Sequence, residues 1–273
     1  MRLRPRRRRD ERTARAEFVA AAASFTPYVA VDVDGLTFLV STHDPKMAKF
    51  FASRKRNELR VLDTALEILG GAGGTFVDAG AYLGTATLAA LRAGFSAAVA
   101  IEPEPETVRL LRANVTLNGD EERVRVVAAA LSDRVGSAEL DRGPGSRGKA
   151  RLIAGADDPA RGETVEVAVT RLDDLEIDPE HVGLLWLDVE GHELRVLEGA
   201  PRTLAASPPL VMELYPRLLA RAGSLDGLAP LLERHYTHVA DLRAGAELRP
   251  VGALAGLVDD YADGHTDLLL CRR

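Results

Sequence analysis

Two acids in this chain stand where a nucleoside would need them. Asp78, in Thr75-Phe76-Val77-Asp78-Ala79-Gly80-Ala81-Tyr82-Leu83-Gly84, ends an apolar run and opens a glycine turn. Glu102, in Ile101-Glu102-Pro103, ends the next apolar run eighteen residues after Gly84. A strand leading into a glycine turn, a helix and a second strand that ends in an acid is how open α/β sheets hold a ribose and its base at their carboxyl edge. Glu102 offers acceptors for ribose hydroxyls. The spacing Asp-x-Gly-x-x-x-Gly lacks the glycines that bring pyrophosphate to a helix N-terminus, and the charge of Asp78 repels phosphate. It suits a ligand carrying an ammonium and a sulfonium, so the pattern favours S-adenosylmethionine over a dinucleotide.

A second constellation, Asp188-Val189-Glu190-Gly191-His192-Glu193, follows the continuous apolar run Leu184-Leu185-Trp186-Leu187. Such a run is expected in a strand buried on both faces, which places these side chains at the sheet's switch point beside the glycine turn. Methyl transfer to oxygen needs an aligned acceptor and removal of its proton. His192 has an unperturbed pKa near neutrality, and Asp188 or Glu190 could serve as the base if desolvated. Glu213, in Met212-Glu213-Leu214-Tyr215-Pro216, ends the next strand and is a candidate neighbour of the acceptor. Asp188, Glu190 and Glu213 are also hard oxygen ligands, so a divalent cation is an option that the sequence leaves without an assigned site.

The elements that must position these groups alternate. Strands are expected at 75–79, 97–102, 123–128, 184–188, 209–214, 235–242 and 266–271, and helices at 83–93, 105–117, 193–206 and 217–233. This predicts an α/β, doubly wound, Rossmann-like sheet of seven mostly parallel strands. Residues 132–172 break the alternation with β structure around the glycine-rich loop Arg142-Gly143-Pro144-Gly145-Ser146-Arg147-Gly148, expected to cover part of the site. Ahead of the core, Asp34-Gly35 sets a hairpin at 28–42, and leucines at helical spacing set a helix within 46–69. The expected organisation is a basic, disordered arm at 1–20, a hairpin and helix cap over the substrate at 21–70, and the catalytic domain at 71–273.

Bulk properties narrow the classes. The 273 residues are 46% apolar and 5% aromatic, enough for one large core. The net charge of -6 divides unevenly, because residues 1–16 hold eight arginines against two acids, leaving the remainder at -12. An acidic body is a poor surface for nucleic acid. Glu17 and the short run Phe18 to Ala23 argue against a signal peptide, no segment has the length of a membrane span, and Cys271 is the only cysteine, so a cytoplasmic protein without disulfides is expected. Homo-oligomerisation is compatible with all of this.

The ordered set of motifs resembles the FkbM family of S-adenosylmethionine-dependent methyltransferases. The likeness rests on Val77 to Gly84, Ile101-Glu102-Pro103, Leu111-Arg112-Ala113-Asn114 with Asn118, Ala129-Ala130-Leu131-Ser132-Asp133, Asp188 to Glu193, and Met212-Glu213. It implies a class I methyltransferase fold. Asp78, Gly80, Ala81, Tyr82 and Gly84 would then surround the methionine part of the cofactor, Glu102 and Pro103 the ribose, and Ala129, Ala130 and Leu131 the adenine. The implied activity is O-methylation of a hydroxyl on a sugar, polyketide or other small or glycosylated metabolite. N-methylation and a non-catalytic scaffold that only binds the cofactor are the alternatives.

Overall fold

The computed structural model describes residues 17–18, 21–44, 57–143, 147–153 and 162–273. Residues 1–16 and 19–20 of the expected arm lie outside the described residues, as do residues 46–56 of the expected leading helix and residues 144–146 of the glycine-rich loop. The chain opens with an antiparallel hairpin, β1 (Tyr28–Val33) and β2 (Leu36–Ser41). Its turn residues Asp34 and Gly35 have φ of 55° and 81°, the left-handed pair that matches the twist of a two-residue hairpin. Helix α1 (Asn57–Leu69) follows and buries Val61, Leu62 and Ala65.

The core then alternates as β3 (Thr75–Ala79), α2 (Thr85–Ala93), β4 (Ala97–Ile101), α3 (Pro105–Leu117) and β5 (Val124–Val127). An excursion follows, β6 (Ala130–Leu131), β7 (Gly136–Asp141), β8 (Arg151–Leu152) and β9 (Thr164–Thr170), which forms its own sheet in the order β6-β9-β7-β8. The core resumes with β10 (Val182–Leu187), α4 (Glu193–Glu198), α5 (Pro201–Ala206), β11 (Leu210–Leu214), α6 (Pro216–Arg221) and α7 (Leu225–His235). It closes with β12 (His238–Asp241), β13 (Arg249–Pro250), α8 (Leu254–Asp260) and β14 (Thr266–Cys271).

The main sheet has the order β13-β12-β14-β11-β10-β3-β4-β5. The seven expected strands are all present, and the two-residue β13 adds an eighth at the edge. Pairings from β11 across β10, β3 and β4 to β5 are parallel, whereas β14 runs antiparallel between β11 and β12. Chain direction across the sheet reverses between β3 and β10, so loops leaving those two strands diverge and open a crevice. Two apolar layers cover the sheet: one face buries Phe76, Phe95 and Trp186, the other Leu185, Leu187, Met212 and Tyr236.

Two expected helices are each split. Pro201 has no N–H for the Leu197 carbonyl, so the 193–206 segment ends α4 and restarts as α5. The 217–233 segment breaks at Gly223-Ser224, where Ser224 donates its N–H back to Leu219 at 2.8 Å. The hairpin also differs from the expected cap. Leu36, Phe38 and Val40 pack on Leu83, Leu88 and Leu110, the hairpin stands against α2 and α3, and none of the described residues before β3 lines the central cleft. Asn114 on α3 and Asn118 at its C-cap hold it there. The Asn114 side chain accepts from the Leu39 N–H at 2.6 Å and donates to the Leu83 carbonyl at 2.9 Å. Asn118 accepts from the Thr37 N–H at 3.0 Å and donates to the Thr37 carbonyl at 2.8 Å.

One backbone approach sets the crevice. Asp188 donates its N–H to the Ala79 carbonyl at 3.0 Å, and its own carbonyl oxygen lies 1.8 Å from where a Cβ on Gly80 would be. Gly80 also has φ of 90°, so no other residue fits.

Asn114→Ala would leave the Leu39 N–H and the Leu83 carbonyl without partners, and we expect a loss of about 2–4 kcal/mol in urea unfolding. Gly80→Ala should push β3 and β10 apart at their carboxyl ends. The expected outcome is loss of the folded state, or a folded protein that no longer binds S-adenosylhomocysteine by calorimetry.

Candidate active site

The carboxyl ends of β3, β4 and β10, with the small sheet beside them, enclose a cleft of about 910 Å³ counting its open mouth. Asp78, Gly80, Ala81, Tyr82, Glu102, Pro103, Ala130 and Leu131 all line it, and so do Asp188, Glu190 and His192. Gly84 does not; it starts α2 and faces Leu111. Glu213 also lies outside this lining.

Asp78 is buried in β3, and its carboxylate accepts from the Thr87 hydroxyl on the first turns of α2. Glu102 follows β4 directly. One of its oxygens accepts from the Tyr82 N–H at 3.0 Å and the other from the Glu104 N–H at 2.8 Å. Each oxygen keeps a further lone pair, so the side chain is fixed and can still accept from a diol. Burial pushes the Glu102 carboxyl up to about 8, and the charges of Glu104 and Asp78 add to the rise against the two backbone hydrogen bonds. Tyr82 holds a left-handed φ of 50°, which lets its N–H face back to Glu102.

Glu104 is fully buried and caps α3, accepting from the Thr107 N–H at 2.7 Å. It also meets Arg142 at 3.0 Å, just beyond β7, and this ties the small sheet to the helix that starts beside Glu102. The excursion delivers Leu140, Gly148, Ala150, Arg151 and Leu152 to the cleft. The glycine-rich loop expected to cover part of the site supplies Gly148, whereas Leu140, Ala150, Arg151 and Leu152 were not anticipated. Thr87 was likewise missed, although a hydroxyl nine residues after Asp78 on the following helix is a readable signal.

The loop after β10 is bent by Glu190 at φ of 52° and Gly191 at 97°. Glu193 pins the bend, one oxygen accepting from the Val189 N–H at 3.3 Å and the Gly191 N–H at 3.1 Å. Its other oxygen is buried without a hydrogen-bond partner among the described residues, and burial pushes this carboxyl up to about 7. Burial also raises the Glu190 carboxyl, opposed by the positive charges of Lys149 and Arg151. His192 places Nε2 2.9 Å from the Ser132 hydroxyl, and burial holds its ring down to about 4, so it is neutral at physiological pH.

Glu213, at the end of β11, is pushed up to about 8 by burial and by the charges of Glu190, Asp267 and Glu193. Its titration is thus linked by charge to that of Glu190, which does line the cleft. Among the described residues no group of three or more His, Cys, Asp or Glu side chains is placed to hold a metal ion. Nor is any helix among them long and apolar enough to cross a membrane.

A search of curated proteins returns no match. Among solved structures, the chain is similar to methyltransferase FkbM from Methylobacillus flagellatus KT, with 15% identity and a TM-score of 0.50 over 94% of this chain and 58% of that one. The chain thus spans less than two thirds of that relative, and at this identity the likeness is one of fold. It is also similar to TYW2 of M. jannaschii solved with AdoMet, with 12% identity and a TM-score of 0.46 over 90% of this chain and 87% of that one. A third is the Pyrococcus abyssi tRNA (uracil-54, C5)-methyltransferase solved with S-adenosyl-L-homocysteine, with 14% identity and a TM-score of 0.45 over 90% and 44% of the two chains. The family description "Methyltransferase FkbM domain" matches residues 78–242, more than half of the sequence and the whole span from Asp78 through the cleft-lining loops to β12. The chain belongs to the FkbM methyltransferase family.

Proposed function

We propose that this protein binds S-adenosylmethionine and transfers its methyl group to a hydroxyl oxygen of a small or glycosylated metabolite. The observation that carries the reading is the meeting, in one cleft, of the buried acids Asp78 and Glu102 with Glu190 at the opposite wall. The donor set fits the cofactor. Asp78 opposes a cationic amino-acid end, the spare lone pairs of Glu102 take the ribose diol, and the small apolar side chains of Ala129, Ala130 and Leu131 leave a flat slot for a base. When bound, the cofactor supplies a methyl carbon made electrophilic by the sulfonium.

The chain's own residues then align the acceptor and take its proton. Glu190 is the base in this reading, because it lines the cleft and its burial raises its affinity for a proton. His192 is too weakly basic for that step; neutral and close to Ser132, it positions the acceptor through a hydrogen bond. Asp188 sits at the strand end between the two halves of the site. Trp186 and Leu140 close off water around the reacting atoms.

Glu102→Ala should weaken S-adenosylhomocysteine binding by about 1–3 kcal/mol in a calorimetric titration, through loss of charge-assisted hydrogen bonds. Equal affinity in the two proteins would remove the ribose assignment.

The pH dependence has a definite sign. Ribose hydroxyls donate to the ionised Glu102, so the ligand lowers a carboxyl that sits at about 8 in the free cleft. Binding then releases a proton near pH 7, and affinity should fall up to about tenfold per pH unit below 8. Titrations in buffers of different ionisation enthalpy would read that proton directly, and an affinity flat between roughly pH 6 and 9 would contradict the assignment.

Once an acceptor is in hand, Glu190→Gln should lower kcat about a hundredfold or more with cofactor affinity retained. The same rate in both proteins would exclude Glu190 as the base.

A further inference from the structure

The main cleft shares a wall with a side pocket of about 300 Å³, lined by Arg151, Leu152, Glu190, His192, Leu218 and Arg221 together with neighbouring backbone. Arg151, Leu152, Glu190 and His192 line both spaces, so the side pocket lies just past the two residues placed above at the acceptor oxygen. The charged groups change along this path. The proposed cofactor end presents Asp78 and Glu102, whereas the side pocket presents two guanidinium groups, from elements far apart in sequence, beside Glu190. Arg151 comes from β8 and Arg221 from the last turn of α6.

Arg151 is largely buried, with 12% of its side chain exposed. It is steadied by Asp141 at 3.4 Å, with Nη1 donating to the Leu152 carbonyl at 3.5 Å. Arg221 is half-buried. Leucine side chains flank both, and an apolar wall strengthens the field a guanidinium exerts on an anion beside it. A neutral acceptor gains only ordinary hydrogen bonds from two arginines, whereas a planar carboxylate or a phosphate can take charge-assisted hydrogen bonds from both.

We propose that the side pocket grips an acidic substituent of the methyl acceptor through Arg151 and Arg221, and so presents a neighbouring hydroxyl of the same molecule to Glu190. This rests on the methyl-transfer reading above and adds a substrate class to it: hydroxylated metabolites bearing a carboxylate or a phosphate. Leu152 and Leu218 add apolar surface to the pocket, whose volume of about 300 Å³ includes the open space at its mouth.

The test uses the full chain saturated with S-adenosylhomocysteine. D-glucuronate, D-glucose 6-phosphate and D-glucose are titrated into it at matched ionic strength. At least one acid should bind about tenfold or more tightly than glucose, and the preferred acid tells carboxylate from phosphate. Arg221→Gln should abolish that preference while S-adenosylhomocysteine affinity stays as in the wild type, which also shows that the variant is folded. Arg151→Gln should reduce the preference as well. Glucose binding as tightly as the acids, no binding of either acid, or a preference that survives Arg221→Gln would each overturn the proposal. So would loss of S-adenosylhomocysteine affinity in Arg221→Gln, since that would give the arginine to the cofactor. Failure of the wild type to bind S-adenosylhomocysteine at all would instead remove the underlying methyl-transfer reading.

Discussion

Everything at the site hangs on the contact between the backbone of Gly80 and the carbonyl of Asp188. Two parallel strands, β3 and β10, lie side by side, and their exits turn opposite ways because the sheet winds outward from this pair. The exits can diverge from a common point only if one of them has no side chain there. With that contact in place, Asp78 sits beneath the turn, the Tyr82 N–H reaches Glu102 on the next strand, and the loop carrying Glu190 and His192 faces them across the cleft. Side chains on three segments are thus aligned by one backbone approach.

The electrostatics follow from the same geometry. The crevice concentrates carboxyl groups where water is scarce, and burial raises Glu102, Glu190, Glu193 and Glu213 together. Such groups cost folding free energy, and that cost is tolerated most readily where a cationic ligand and an acidic proton are to be received. Among the residues lining the two spaces, the guanidinium groups come from β8 and the end of α6, and Asp78 and Glu102 from β3 and the end of β4. In the proposed reading a cationic cofactor and an anionic acceptor each meet groups of the opposite sign.

Much of this was legible in the residues. A strand buried on both faces has to be apolar along its length, so Phe76-Val77, Leu184 to Leu187 and Leu210 to Met212 announced themselves, and an acid at the end of each marked the carboxyl edge of the sheet. Asp78, Glu102, Asp188, Glu190 and His192 do meet in one cleft. What was not legible depends on distance in space. Gly84 has the spacing of a cofactor glycine but answers to Leu111, and Glu213 ends its strand outside the cleft lining. Arg151 lies in a two-residue strand with no periodicity of its own, and only the pairing of β7 with β8 brings it to the cleft. The leading hairpin was readable as a hairpin. Its address was not, because the asparagines that fix it lie some eighty residues downstream.

Those asparagines have a consequence beyond anchoring. A two-stranded ribbon outside the main sheet leaves each strand with an outer row of unpaired donors and acceptors, the template on which another chain can add a strand. On β2 that row is already occupied: the carboxamides of Asn114 and Asn118 meet the N–H groups of Leu39 and Thr37 and the Thr37 carbonyl as a neighbouring strand would. Two side chains on a helix thus serve as a counterfeit strand, and the edge is closed to self-association through this face of the hairpin.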